Sequence, residues 1–296
     1  MRRMRATTIL MLALIASAGA QERLLLPNKD GSVKFLVIGD SGTGGDAQKA
    51  VADRIAEVRK IFPFEFAIMV GDNMYGGENA NDFRRKFELP YKPLLDAGVK
   101  FYAALGNHDD PAQRFYKLFN MNGERYYTFK APKPGIGLRG GARLFALDSN
   151  YMSKEQIDWL KKELKASGSD WKIPFFHHPL YSSGEKHGGD AALREQLEPL
   201  FVENGVDVVF AGHEHFYERL KPQKGITYFV TGSAAKLRKG NIGASAMTAK
   251  GYDQGYAFVI VEIAGDEMYF QTINSDGKTI DSGVIKRREV ATTTSK

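Results

Sequence analysis

The 296-residue chain contains no cysteine. Disulfides, zinc–thiolate sites, iron–sulfur clusters and a cysteine nucleophile are therefore excluded, and any metal must be held by His, Asp, Glu, Asn, Tyr or backbone oxygen. Long apolar runs are also missing, since none reaches the roughly 20 residues that a bilayer-spanning helix requires. Two phosphate- and acyl-chemistry signatures are incomplete. Gly39-Asp40-Ser41-Gly42-Thr43-Gly44-Gly45 is not completed by Gly-Lys-Ser/Thr and lacks dinucleotide-fingerprint spacing, and no Gly-x-Ser-x-Gly elbow occurs. No basic run interleaved with aromatics occurs either, so no nucleic-acid partner is expected, and Lys286–Arg288 reads as a solvated tail. What remains is 43% hydrophobic and 26% charged, the composition of a globular protein.

The formal charge of +6 is in part an address. Arg2, Arg3 and Arg5 precede an apolar run from Ile9 to Ala16, and Ala18-Gly19-Ala20 closes it, the pattern of a secretory signal peptide cleaved after Ala20. Cleavage leaves 38 Lys+Arg against 35 Asp+Glu, or +3. The expected product is an exported, periplasmic or secreted protein with no membrane anchor, a catalytic domain over 21–285 and a disordered tail over 286–296.

Val33–Ile38 reads as a strand, followed by a helix over Asp46–Lys60 in which Ala47, Val51, Ile55 and Val58 recur at helical spacing behind an Asp46 cap. Phe64–Val70 and Lys100–Leu105 read as further buried strands, with a helix around Asp82–Leu95 between them. Ser153 and Gln156 form a capping box for a helix burying Ile157, Leu160 and Leu164. Trp171–Phe176 is a strand, Ala191–Phe201 a helix, and Val206–Phe210, Ile226–Val230, Tyr256–Ile263, Glu267–Ile273 and Thr279–Ile285 make the last third β-rich. The expected fold class is α/β (α+β), two mixed sheets packed face to face with helices outside.

Five apolar strands end in a residue able to bind metal: Asp40, Asp72, Asn107 with His108, His177 with His178, and His213 with His215. A lone Asp there is more often a helix cap, and a lone His more often a satisfied core residue. The carboxyl ends of neighbouring strands in α/β sheets converge on one crevice, however, so five such endings imply a shared site. Five of the six histidines occupy these ends, and the sixth, His187, follows His177 by ten residues in a Gly/Ser-rich loop. Oxygen and imidazole donors without thiolate fit Fe, Zn or Mn, and the set exceeds one tetrahedral site, so two metals and in-line phosphate-ester hydrolysis are indicated. Adjacent residues on a strand face opposite ways, so one of His177 and His178 is expected to be a ligand.

Gly39-Asp40-Ser41-Gly42, Gly71-Asp72-Asn73-Met74-Tyr75, Gly106-Asn107-His108-Asp109, His177-His178-Pro179 and Gly212-His213-Glu214-His215, in that order, resemble the motifs of the binuclear, calcineurin-like metallophosphoesterases. Within them they resemble the small, tartrate-resistant purple acid phosphatases, over residues 33–275. Gly42 stands where many metallophosphoesterases carry His, and Tyr75 three residues after Asp72 marks the purple enzymes. The resemblance implies a four-layer sandwich, with Asp40, Tyr75 and His215 on Fe(III), Asp72 bridging, and Asn107, His177 and His213 on a divalent Fe, Zn or Mn. It selects His177 over His178 and places His108 and His187 near substrate, although an exposed loop histidine without function is an equal reading of His187. It further implies attack of a metal-activated hydroxide on a small phosphate monoester, without a phosphoenzyme and with an acidic optimum; a monomer is expected. A phosphodiesterase or nucleotide-directed phosphoesterase is the alternative within the superfamily. A non-catalytic phosphate- or metal-binding exported protein is the alternative outside it, and none of the seven ligands is lost as that reading would require.

Overall fold

Strands buried on both faces read as unbroken apolar runs, and β1 (Val33–Ile38) and β2 (Phe66–Val70) are almost wholly buried. Period-2 alternation splits β1 between two cores. Val33, Phe35 and Val37 face a second sheet, whereas Leu36 and Ile38 face α1 (Asp46–Ile61) through Val51, Ile55 and Val58. The computed structural model describes residues 23–131, 141–168 and 170–288. The export segment expected at 1–20 lies outside the described residues, as does the chain from 289 on.

The first sheet has the order β13-β12-β11-β1-β2-β3, with β3 Lys100–Ala104, β11 Ala257–Ala264, β12 Glu267–Asn274 and β13 Thr279–Lys286. The second runs β10-β8-β9-β7-β6-β5-β4. Its strands are β4 Tyr127–Lys130, β5 Ala142–Ala146, β6 Trp171–Phe176, β7 Val208–Ala211, β8 Tyr217–Leu220, β9 Thr227–Thr231 and β10 Thr248–Tyr252. Phe35 stacks on Phe66 at 5.2 Å within one sheet and meets the edge of Phe210, from the other, at 6.2 Å. The outer face of the second sheet is covered by α4 (Lys154–Ala166) and α5 (Ala191–Glu203) through Leu160, Leu164, Leu193, Leu197 and Phe201. Helix, sheet, sheet and helix form the expected four layers. β1, β2 and β3 run parallel, as do β5, β6, β7 and β9, so seven carboxyl ends belong to parallel ladders.

Several local readings differ from the sequence expectation. The helix expected over Asp82–Leu95 is broken into α2 (Ala80–Phe83), a π-turn over Arg84–Glu88 and α3 (Lys92–Asp96), because Pro90 has no N–H to donate and Pro93 restarts the helix at its first turn. Gly45, not Asp46, caps α1. Ser153 accepts from Gln156 N at 3.2 Å, but the Gln156 side chain turns instead to Asp148 and Tyr151. Lys286–Arg288 is no solvated tail: Lys286 ends β13, and Arg288 donates from its backbone to Asp207 (3.1 Å) and from its side chain to Val206 O (3.0 Å). β8 and β10 are strands the sequence did not flag. Among the described residues, no helix is long and apolar enough to cross a membrane.

Candidate metal centre

Asp40, Asp72 and Asn107 follow β1, β2 and β3, and His177, His213 and His215 follow β6 and β7, at one edge of the sandwich. Asp40, Asp72 and His213 have φ of 54°, 50° and 69°, a left-handed conformation that side-chain-bearing residues adopt rarely and mostly where the surroundings enforce it. Here hydrogen bonds between motifs enforce it. Asp40 N donates to Gly71 O (3.0 Å), His213 N to Asp40 Oδ2 (3.0 Å) and His108 N to Asp72 Oδ1 (3.0 Å). A Cβ on Gly106 would lie 2.1 Å from Asp72 N, so the third motif must place glycine there.

The donor atoms gather in two groups that share Asp72. In the first, the Tyr75 hydroxyl lies 2.8 Å from Asp72 Oδ2, 3.1 Å from Asp40 Oδ1 and 3.4 Å from His215 Nε2, and His215 Nε2 lies 3.3 Å from Asp40 Oδ1. In the second, His177 Nε2 lies 3.3 Å from Asp72 Oδ1, 2.9 Å from Asn107 Oδ1 and 3.1 Å from His213 Nδ1, with Asn107 Oδ1 to His213 Nδ1 at 3.0 Å. Ligands held at about 2.1 Å by one ion stand about 3 Å from their neighbours in an octahedral shell. These spacings fit that requirement in both groups. His177 Nδ1 is 3.1 Å from Val70 O, which fixes its proton there and turns the Nε2 lone pair to the site.

The electrostatics ask for cations. Burial, then the charge of Asp72, pushes the Asp40 carboxyl well above its usual range, and burial followed by the Asp40 and Asp72 charges pushes the Tyr75 phenol up. Burial brings His213 and His215 down to about 3, helped by His177 at the former and by Arg238 and Lys236 at the latter. Burial likewise holds His177 well below the ordinary imidazole range. These imidazoles keep their lone pairs through the acidic range, while the Asp40 carboxyl and the Tyr75 phenol ionise together only with positive charge beside them.

The Tyr75 loop is built for its place. A Cβ on Gly42 would lie 1.8 Å from Asn73 O, so no side chain fits, and Gly42 O accepts from Tyr75 N at 2.9 Å. The position that could carry a histidine elsewhere in the superfamily is instead the backbone anchor of the tyrosine. Lys86, buried on the π-turn, donates to Tyr75 O (2.7 Å) and Gly77 O (2.6 Å). Asp109 accepts from the backbone of Asn73 (3.1 Å), Met74 (2.9 Å) and Gly106 (2.7 Å), joining the second motif to the third, and burial followed by the Asp72 charge pushes its carboxyl up to about 7.

A cleft of about 250 Å³ opens over the donors and is lined by His108 and His187 as well. The His108 ring lies 4.9 Å from that of Tyr75, and the His187 ring 4.5 Å from that of His213. The loop histidine left open by the sequence is thus at the site. His178 is not on the opposite face from His177: β6 ends at Phe176, alternation ends with it, and the His178 ring lies 4.6 Å from His213 with Nδ1 2.9 Å from Ser149 Oγ. Sequence reasoning missed Lys86, Glu214 and the cleft-lining Lys186, Lys236 and Arg238. A signal existed for two of them, because β9 is parallel to β7 and the chain beyond its carboxyl end carries Lys236 and Arg238.

A two-sheet sandwich with Asp, Asn and His at converging strand ends defines a calcineurin-like metallophosphoesterase. The calcineurin-like phosphoesterase family model matches residues 33–217, and the chain belongs to that family. Within it, the chain is 28% identical over 317 residues to tartrate-resistant acid phosphatase type 5 of Homo sapiens, covering 90% of this chain and 96% of that one. It is 30% identical over 260 residues to purple acid phosphatase 3 of Arabidopsis thaliana, covering 76% and 69% respectively. A solved structure described as GAP50, the anchor in the inner membrane complex of Plasmodium, shares the fold with a TM-score of 0.76 at 19% identity, covering 88% of this chain and 90% of that one. The chain is a hydrolase acting on phosphoric esters, and its family implies a binuclear metal centre.

Proposed function

We propose that this enzyme is an exported acid phosphatase that hydrolyses phosphate monoesters at an Fe(III)–M(II) centre, M being Fe, Zn or Mn. The observation that carries the reading is the pair of donor groups sharing the two oxygens of Asp72, one group containing a phenol. Asp40, Tyr75 and His215 would hold the ferric ion, Asn107, His177 and His213 the divalent ion, and Asp72 both. When bound, such a pair supplies Lewis acidity that acidifies water and neutralises the phosphoryl oxygens. Export is read from the basic, apolar and small-residue succession of the first twenty residues.

The chain's own residues then orient and protonate. His108 is pinned through its backbone to Asp72 and exposed in the cleft, where its ring gives a proton to the departing alkoxide oxygen. His187 is held by its backbone N–H on Glu214 (3.1 Å) and presents its ring N–H to a phosphoryl oxygen. Among the described residues the cleft lining includes one carboxylate, Asp72, so a dianionic monoester meets no opposing acid there beyond the bridge itself.

The purified protein should contain two metal ions per chain, absorb in the visible through an iron–phenolate band, and hydrolyse p-nitrophenyl phosphate in preference to its bis ester at acidic pH. A colourless, iron-free and active protein would refute the ferric half of the reading. Preference for the bis ester would replace it with a phosphodiesterase, and inactivity with both metals bound would restore the non-catalytic reading.

A further inference from the structure

The segment that follows β9 is fastened to the first and the last motif of the centre. Ala234 N donates to Gly39 O (3.2 Å), beside Asp40, and Arg238 N donates to His215 O (3.0 Å). Lys236 stands midway between these two anchors. The segment is closely packed, since Ser233, Ala234 and Ala235 are buried and a Cβ on Gly232 would lie 2.3 Å from Glu214 O and 2.7 Å from Asp40 Oδ2. Half-buried Lys236 lines the cleft with Nζ over the Tyr75 ring, 4.6 Å from its centroid, and among the described residues it makes no ion pair. Its charge is thus presented to the face of a proposed metal ligand by a backbone held at both ends.

An ammonium over the face of an aromatic ring is attracted by its π-electrons, and more so when the ring belongs to a phenolate, whose negative charge is shared with the ring. That attraction lowers the energy of the filled ring orbitals. Lys236 lies over the ring, whereas the ion of the proposed function is held at the hydroxyl end. The cation therefore acts more strongly on electrons that stay on the phenolate than on electrons passed to the ion. We infer that Lys236 is a positioning residue acting through Tyr75: it draws phenolate charge back onto the ring, raises the energy of the iron–phenolate band and leaves the ion a stronger Lewis acid towards water. The inference rests on the ferric reading of the centre, and it assigns Lys236 to a ligand and not to the substrate.

The test replaces Lys236 by Met, which keeps most of the side-chain length and removes the charge, in the iron-loaded protein. At unchanged metal content the visible band of Lys236→Met should move to longer wavelength by about 10 nm or more, and kcat for p-nitrophenyl phosphate should fall by roughly threefold or more. Lys236→Arg keeps a cation over the ring, so its band should stay within about 5 nm of the parent's and most of kcat should return. Lys186→Met removes a charge from the same cleft lining without touching the Tyr75 ring and should leave the band in place. A Lys236→Met band that coincides with the parent's, or an equal shift in Lys186→Met, overturns the inference. So does a raised KM with an unmoved band, which would place Lys236 on the substrate. A parent protein that shows no band when loaded with iron overturns the ferric reading and this inference with it, and that failure is told apart because it needs no substitution.

Discussion

The two halves of the donor set differ in origin and in charge. All the oxygen donors, Asp40, Asp72, Tyr75 and Asn107, follow strands of the six-stranded sheet, and all the imidazoles, His177, His213 and His215, follow strands of the seven-stranded sheet. The group around Tyr75 joins a carboxylate, a phenol and one imidazole to one oxygen of Asp72, whereas the group around His177 joins an amide and two neutral imidazoles to the other oxygen. Negative charge is concentrated on one side of a shared bridge. A hard, highly charged ion suits the first group and a divalent ion the second. The centre is complete only because two sheets, each supplying one class of donor, pack face to face with their strand ends along one edge of the sandwich.

The largest effect should come from removing what the halves share. Asp72→Ala is expected to empty both and lower kcat by at least about 10³-fold, read by metal analysis beside activity. Substitutions on either side should separate them. Tyr75→Phe should abolish the visible band while the second ion stays bound, and His177→Ala should lose the second ion while the band persists, each lowering kcat by about 10²-fold. Loss of both ions in both variants would mean that the groups are not independent sites.

A third prediction concerns the anchor of the tyrosine loop. Gly42→Ala places a methyl group against Asn73 O and should cost about 3 kcal/mol, measured as a lower denaturant midpoint. Glu214→Gln keeps one acceptor oxygen for the His187 and Gly188 N–H groups but removes the charge facing Arg238 and sets an amide NH2 against the Arg238 and Asn241 donors. It should lower kcat/KM about tenfold with full metal content, as expected of a residue acting through the groups it holds.

The stability of the metal-free fold should also depend on pH. Asp40 and Asp109 have raised carboxyl pKa values in the metal-free fold, Asp109 to about 7. The folded state therefore retains protons that the unfolded chain releases above about 4. Metal-free protein should lose stability as pH rises from about 4 to about 7, by about 1.4 kcal/mol per pH unit through Asp109, with Asp40 acting in the same direction, and added metal should flatten the dependence. Thermal melts at pH 4 and pH 7, with and without metal, measure it.

The strand-end pattern was readable without coordinates because β1, β2, β6 and β7 are buried on both faces, so each apolar run stops where the chain reaches the site edge. The candidate donors Asp40, Asp72, His177 and His213 lie within two residues of that stop. Strands β8 and β10 escaped because they are short and interrupted by charged or glycine residues such as Glu218 and Gly251. His178 was misplaced because strand alternation was extended one residue past the strand. Lys86 and Glu214 look like ordinary surface charges in sequence, and only their burial against backbone N–H and C=O groups of other motifs shows that they hold loops in place.

Residue type and order alone determined that the chemistry would rest on oxygen and imidazole, because cysteine is absent and Asp, Asn, Tyr and His stand at the ends of apolar runs. Tertiary structure decided that Asp72 faces two groups of donors, that His187 joins the cleft, and that three cations stand on its rim. Those facts depend on distances between segments as far apart as Asp40 and His213. Such distances are set by how two twisted sheets pack and not by any local preference of the chain.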